Sequence, residues 1–145
     1  MRPPATHLFG MPVATVGETA SHEVAVTTET IDAFAALSGD ENPIHLDESY
    51  AAETMFGGRV AHGMIAAAAV SAALASLPGD IVYLQQDLSF ENPVRPGETV
   101  RAAVEVTEHL GGDRLRAQTA VFVDARDERV LDGEATVLSL PHDAA

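Results

Sequence analysis

The stretch GMIAAAAVSAALASL, residues 63–77, runs for fifteen positions without a charged side chain and is followed by Pro78 and Gly79. Its alanine, leucine and methionine residues favour a helix, and the Pro-Gly pair is a typical stop signal. A helix that has no polar face must be surrounded by the rest of the protein. The stretch therefore predicts a buried central helix around which the remainder of the chain folds.

After this helix, apolar residues recur at every second position, which is the period of a β-strand. With one more strand expected before the helix, the predicted strands are 21–26, 82–90, 100–106, 115–123 and 129–140. Gly111-Gly112 has the composition of a hairpin turn. We therefore expect an α+β fold, in which a long antiparallel sheet curls around the central helix.

Two shorter helices are expected before the central one. Thr28 is a suitable N-cap for the first, and Gly39 is the residue expected just past its end. Asp47 is a suitable N-cap for the second, which should run to about residue 53 with Tyr50 and Ala51 facing inward.

The composition excludes several classes of protein. The 145 residues fit one domain, 1–145, and contain no cysteine, which excludes disulfides and thiolate chemistry. A net charge of −14, with 22 acidic residues and 8 basic ones, argues against binding to nucleic acid or to anionic membranes. The first residues lack a signal-peptide run, and the central apolar run reads as a buried helix, so we expect a cytoplasmic protein.

The stretch SGDENPIH, residues 38–45, places an acid and an imidazole five positions apart within a turn. Much of it is ordinary turn chemistry, since Gly39 ends a helix and Asn42-Pro43 favours a turn. The remaining question is whether Asp40 and His45 have a chemical role.

The wider segment FAALSGDENPIHLDESYA, residues 34–51, resembles the signature of the MaoC-like dehydratases and (R)-specific enoyl-CoA hydratases. Three further segments are similar to the family pattern: AHGMIAA (61–67), LSFENPVRPGET (88–99) and DGEATV (132–137). The resemblance covers almost the whole chain. It implies the hot dog fold, a central helix wrapped by a curved antiparallel sheet, and the reversible addition of water to a trans-2-enoyl-CoA.

The resemblance also implies the roles of five residues. Asp40 and His45 would hold the catalytic water, with Asp40 as the base, and the backbone N–H of Gly63 would bind the thioester oxygen at the start of the central helix. Asn42 would brace the loop, and Ser71 would lie in the acyl pocket. Because the substrate is itself a CoA thioester, no cofactor is expected.

Three other residues are candidates for substrate contacts. Arg59 and Arg95 lie near the proposed site in sequence and could bind the phosphates of CoA. His62 is better explained as a buried, hydrogen-bonded side chain than as a ligand, although it adjoins Gly63. We expect no metal, since the other histidines, which are His7, His22, His109 and His142, have no ligand spacing to one another.

Two other functions remain open at this point. Hot dog proteins also include acyl-CoA thioesterases, in which water attacks the carbonyl, and non-catalytic proteins that only bind acyl-CoA. Neither needs both an acid and a base in the loop. Family members pair their sheet edges, so the resemblance also implies a homodimer.

Overall fold

A computed structural model describes residues 11–142, so the prediction made for His7 lies outside the described residues. The elements are, in chain order, β1 (Thr19–Val26), α1 (Thr28–Ser38), α2 (Pro43–Leu46), α3 (Glu48–Ala52), α4 (Gly63–Ala75), β2 (Asp80–Phe90), β3 (Glu98–Gly111), β4 (Arg114–Val123) and β5 (Glu128–Leu140).

The five strands form one antiparallel sheet in the order β1-β3-β4-β5-β2. Strands β1 and β2 are therefore the two edges. The predicted period of two holds from Val100 to Val106 on β3 and along β4, where every second residue is buried. Beyond Val106 the register between β3 and β4 shifts twice, and the alternation on β3 ends. This alternation directs one face of the sheet toward the central helix and confirms the predicted α+β architecture.

The central helix α4 is the predicted apolar helix, and it ends two residues earlier than the apolar run. The expectation that it is surrounded on all sides is wrong for the described chain, because Met64, Ala68, Ser71 and Ala75 form an exposed face that the sheet does not cover. The buried residues of α4 are Ile65, Ala66, Ala69, Val70, Ala73 and Leu74. The small alanine side chains allow the sheet to pack closely around the helix axis. No helix in residues 11–142 has both the length and the apolar character needed to cross a membrane.

The caps of α1 follow the prediction with a shift of one residue. Thr27, not Thr28, is the N-cap, because its side chain accepts a hydrogen bond from the Thr30 N–H. Gly39 ends the helix with φ of 81°, a left-handed conformation that glycine adopts without strain.

Asp47 caps α3 as predicted, since its side chain accepts a hydrogen bond from the Tyr50 N–H. Ala51 is fully buried, but the Tyr50 side chain is about half exposed. The expectation that Tyr50 faces inward is wrong, because a helix of five residues presents only a narrow face to the core.

The edge strand β2 departs from the regular alternation predicted for it. A bulge between Tyr83 and Gln85 inserts one extra residue against β5 and changes which side chains face inward. Before the bulge Ile81 packs against the core and Val82 is exposed, and Leu84, the extra residue of the bulge, is also exposed. The edge of the sheet therefore presents apolar side chains to the surface.

Candidate active site

The loop after α1 is organised by two successive side-chain caps. The Asp40 Oδ1 atom accepts from the Asn42 N–H at 3.2 Å, and the Asn42 Oδ1 atom accepts from the Ile44 N–H at 3.2 Å. Asn42 thereby caps the short helix α2, which begins at Pro43. The segment was predicted only as a turn, although asparagine followed by proline is also a typical helix start.

His45 lies in the last turn of α2 and is 9% exposed. Its Nδ1 atom lies 2.8 Å from the backbone oxygen of Val60. Because a carbonyl oxygen only accepts, Nδ1 carries a hydrogen in this contact. The Nε2 atom of the neutral ring is then a lone-pair acceptor, and it faces the Oδ2 atom of Asp40.

The distance between His45 Nε2 and Asp40 Oδ2 is 3.9 Å. This distance is too long for a direct hydrogen bond, but a water molecule at about 2.8 Å from each atom fits the gap. Such a water would donate one hydrogen to the imidazole and one to the carboxylate. Its oxygen lone pairs would be free to attack an electrophile.

Arg59 supports the backbone of His45. Its Nε atom donates to the His45 oxygen at 2.6 Å, and its Nη2 atom lies 3.4 Å from the Asp32 carboxylate. The side chain is only 13% exposed. The expected contact between Arg59 and phosphate is therefore not supported, because the guanidinium is already bonded inside the protein.

His62 is the buried, hydrogen-bonded side chain that the sequence favours. It is 3% exposed, and its Nε2 atom lies 2.9 Å from the backbone oxygen of Asp40. Its ring stacks on that of His45 with the centroids 3.9 Å apart. A role in binding substrate directly has no support from these contacts.

Asp40, His45 and His62 bring candidate metal-ligand atoms within 4.8 Å of one another. The two imidazole rings, however, are stacked with an angle of 30° between their planes. Lone pairs in the planes of stacked rings point side by side, whereas a tetrahedral metal needs them to converge on one point. The geometry therefore favours a water between Asp40 and His45 over a metal ion.

A cleft of about 570 Å³ adjoins this pair. It is lined by Ile44, His45, Phe56, Val60, Ala61, His62, Gly63, Met64, Ala66, Phe90, Glu91, Asn92, Pro93, Val94 and Val130. Gly63 is the first residue of α4, so its N–H has no acceptor within the helix. The His45 imidazole and the N-terminus of α4 therefore line the same cleft, and the helix dipole stabilises negative charge at that N-terminus.

Phe90 lies against Gly63 at the end of β2. A Cβ atom added at Gly63 would lie 2.8 Å from Phe90 Cδ1 and Cε1. Phe90 was not predicted as a site residue. It belongs to the family-like segment LSFENPV, which could have suggested a role in the site. The contact between Phe90 and Gly63 joins two distant elements, so no local sequence pattern reveals it.

Ser71 does not line the cleft beside His45. It lies on the exposed side of α4, in a neighbouring hollow of about 670 Å³ between α4 and β2. Met64 lines both spaces and so lies at the boundary between them. Asn42 and Asp40 do not belong to the cleft lining, and the Asp40 side chain, 50% exposed, lies at its rim. A single chain therefore leaves the Asp40 carboxylate open to water.

One wall of the cleft is held by an ion pair. The Glu98 carboxylate accepts from Arg126 Nε at 2.8 Å, and Arg126 Nη2 donates to the backbone oxygen of Pro93 in the wall. Burial opposes the ionisation of Glu98, but hydrogen bonds from Arg126 and the Arg95 backbone N–H outweigh it and hold its pKa below the ordinary value of 4.5.

Glu98→Gln is expected to lower the free energy of unfolding at pH 7 by about 1–2 kcal/mol. Because the folded pKa of Glu98 is lowered, its contribution is complete above pH 4.5 and is lost as the pH falls below that value. Thermal unfolding of both proteins from pH 7 to about pH 3.5 tests this. A difference in Tm that stays constant over the range would contradict the prediction.

Comparisons with known proteins give the family of the chain. Residues 13–128 match the family model described as a MaoC like domain. The chain is 46% identical over 124 residues to a 3-hydroxybutyryl-CoA dehydratase of Methylorubrum extorquens, covering 84% of this chain and 78% of that protein. It is also 46% identical over 124 residues to an (R)-specific enoyl-CoA hydratase of Aeromonas caviae, covering 84% of this chain and 92% of that protein.

Solved structures show the same similarity. The R-hydratase PhaJ1 of Pseudomonas aeruginosa in its unliganded form has a TM-score of 0.82 at 40% identity, covering 92% of this chain and 88% of that chain. The (R)-hydratase of A. caviae involved in PHA biosynthesis has a TM-score of 0.81 at 37% identity, covering 88% and 97%.

Proposed function

Because the chain belongs to the MaoC-like dehydratase family and has its hot dog fold, we propose that it is an (R)-specific enoyl-CoA hydratase. The reaction is the reversible addition of water to a trans-2-enoyl-CoA. The observation that carries the proposal is the pairing of Asp40 Oδ2 with His45 Nε2 at 3.9 Å, beside a cleft lined by Gly63, whose N–H has no acceptor within α4.

The first step is attack by water on C3 of the substrate. Asp40 accepts one proton of the bound water, His45 Nε2 orients the other, and the water oxygen bonds to C3. The electron pair of the C2=C3 bond shifts toward the thioester, and negative charge develops on its oxygen. Asp40 and His45 thus supply a base and an orienting acceptor for one water.

The second step uses the start of α4. The N–H of Gly63 and the helix dipole stabilise the thioester oxyanion. The proton held by Asp40 is then transferred to C2, which restores the carboxylate and the thioester carbonyl. Each proton and charge is accounted for by Asp40, His45 and Gly63, so we propose a reaction without a cofactor.

The acyl chain requires space beyond the reacting carbons. We propose that it passes Met64 into the hollow lined by Ser71, because Met64 lies between this hollow and the cleft. Methionine is flexible and can make room for such a chain. Ser71 would then touch the acyl chain without taking part in the chemistry.

An assay with crotonyl-CoA tests the function. Hydration removes the absorbance of the conjugated thioester without releasing free thiol. A thioesterase would release thiol in proportion to the substrate consumed, and a non-catalytic binding protein would do neither. Thiol release without hydration, or no turnover of enoyl thioesters of any chain length, would refute the proposal.

Arg95 is a candidate ligand for the CoA phosphates. Its Nη1 atom donates to the backbone oxygens of Gly58 and Arg59 at 3.3 and 3.5 Å. Within the described chain its Nε and Nη2 atoms form no hydrogen bond and the side chain forms no ion pair, so two donors remain for an anion. Arg95→Ala is expected to raise KM for crotonyl-CoA about tenfold with kcat unchanged, since the phosphates lie far from the reacting bond. KM for crotonyl-pantetheine, which lacks phosphate, should not change.

Two further variants serve as controls for Arg95. Arg114→Ala removes an exposed arginine at the start of β4 and should alter neither constant. Arg59→Ala should lower kcat for both thioesters, because Arg59 supports His45. An equal rise in KM for both thioesters in Arg95→Ala would exclude a phosphate contact.

We further propose a homodimer formed through the edge strand β2, which carries four apolar side chains that are 40–55% exposed: Val82, Tyr83, Leu84 and Phe90. A second chain would pair this edge and shield the rim of the cleft near Asp40.

Leu84→Lys is expected to shift the protein to monomers in light scattering. Val16→Lys, at an exposed apolar residue outside β2, should remain dimeric. A fully active wild-type monomer would contradict this proposal.

A further inference from the structure

We infer that His62 is a positioning residue that fixes Asp40 and His45 relative to each other. It lies at the N-cap of α4, immediately before Gly63. It also contacts the Asp40 backbone and the His45 ring, and so adjoins all three groups assigned to the reaction. The inference rests on the proposed hydratase function, because Asp40 and His45 are the groups assigned to the water.

The hydrogen bond of His62 connects the loop to the central helix. The backbone oxygen of Asp40 only accepts, so His62 Nε2 carries the hydrogen of this 2.9 Å contact. The other hydrogen bonds of Asp40 are local: its N–H donates to Ser38 Oγ, and its Oδ1 atom accepts from the Asn42 N–H. The bond from His62, 22 residues away in sequence, ties the base to the helix that carries Gly63.

The ring of His62 also supports the imidazole of His45. The two rings stack with their centroids 3.9 Å apart, and Phe34 packs against His62 with a centroid distance of 4.8 Å. Since the stack is buried, movement of His62 would tilt the plane of His45 and redirect its Nε2 atom. His62 thus supports the plane of the His45 ring, whose Nδ1 atom is held by the Val60 oxygen, and also fixes the backbone that carries the Asp40 carboxylate.

The chemistry of the side chain indicates why histidine occupies this position. Nδ1 of His62 is buried and has no hydrogen-bond partner in the described part of the chain. If packing were the only role, phenylalanine would fill the same space without a buried, unpaired nitrogen. The bond from Nε2 to Asp40 is therefore the contribution that requires an imidazole.

Replacing His62 with phenylalanine tests this inference. His62→Phe keeps an aromatic ring beside His45 but removes the hydrogen bond to the Asp40 backbone. We expect kcat for crotonyl-CoA to fall about ten- to a hundredfold with KM nearly unchanged, since small displacements of reacting groups cost this much. His62→Gln keeps an N–H donor near the Nε2 position and should recover part of the lost kcat.

Ile31→Val is the control for packing. It shortens a fully buried side chain of α1 that lines neither the cleft nor the hollow, so it should lower Tm and leave kcat close to that of the wild type. Equal losses of kcat in His62→Gln and His62→Phe, or a loss in Ile31→Val as large as that in His62→Phe, would overturn the inference. If His62→Phe does not fold, His62→Asn replaces it, because its amide is too short to reach Asp40.

A second measurement separates this inference from the hydratase proposal. Amide hydrogen exchange of residues 38–46 should be faster in His62→Phe than in the wild type, because the loop loses its bond to α4. Unchanged exchange would overturn the positioning role whatever the activity. A wild-type protein that does not hydrate enoyl thioesters would overturn the proposed function, and the exchange result would still decide the role of His62.

Discussion

Asp40→Asn is expected to lower the hydration of crotonyl-CoA by about a hundred- to ten-thousandfold, the usual contribution of a general base. The amide accepts no proton from water and returns none to C2, so both steps of the reaction fail. The fold should be unaffected, because the side chain is 50% exposed and its local hydrogen bond to the Asn42 N–H can be kept by the amide oxygen. Steady-state kinetics and thermal unfolding measure the two properties.

Two further variants define what this result means. Glu41→Gln removes the neighbouring exposed acid and should leave the rate unchanged, so a loss there would indicate a general effect of charge. His45→Gln should fold normally and also lose orders of magnitude in rate, because Nε2 faces the same water position. If either Asp40→Asn or His45→Gln turned over at nearly the wild-type rate, the assigned pair would be wrong.

The parts of the fold that could be predicted are those with a strong local pattern. The apolar run from Gly63 predicts the central helix, and the alternation is regular from Val100 to Val106 on β3 and along β4, so burial there follows directly from sequence. The bulge after Tyr83 could not be predicted, because it depends on the register against β5. The half-exposed Tyr50 was also missed, since periodicity does not show which neighbours cover a short helix.

The candidate site was predictable only where residues are close in sequence. Asp40 and His45 belong to one loop, and the structure brings their side chains together. The roles of Arg59 and His62 could not be derived, because each depends on a contact with that loop across 14 and 22 positions. A charged or titratable side chain near a site in sequence suggests substrate binding, whereas both of these side chains bond to the protein backbone.

Gly63→Ala is expected to lower the hydration rate by about a hundredfold or more, comparable to the loss of an oxyanion donor. Backbone strain is not the reason, because the φ angle of Gly63 is not positive and alanine can adopt it. The added Cβ would instead meet the Phe90 ring at 2.8 Å, closer than carbon atoms pack. Since the Phe90 side chain is 55% exposed, the ring can move, and the cleft it lines is the space that the thioester needs.

Phe90→Ala distinguishes this explanation from a direct clash between the new methyl group and the substrate. If displacement of the ring causes the loss, Gly63→Ala should cost little further activity in a protein that already carries Phe90→Ala. The double variant would then match Phe90→Ala alone, a strongly non-additive result. Full additivity of the two losses would show that the methyl group blocks the thioester itself, and that the glycine is needed for approach of the substrate to the helix start.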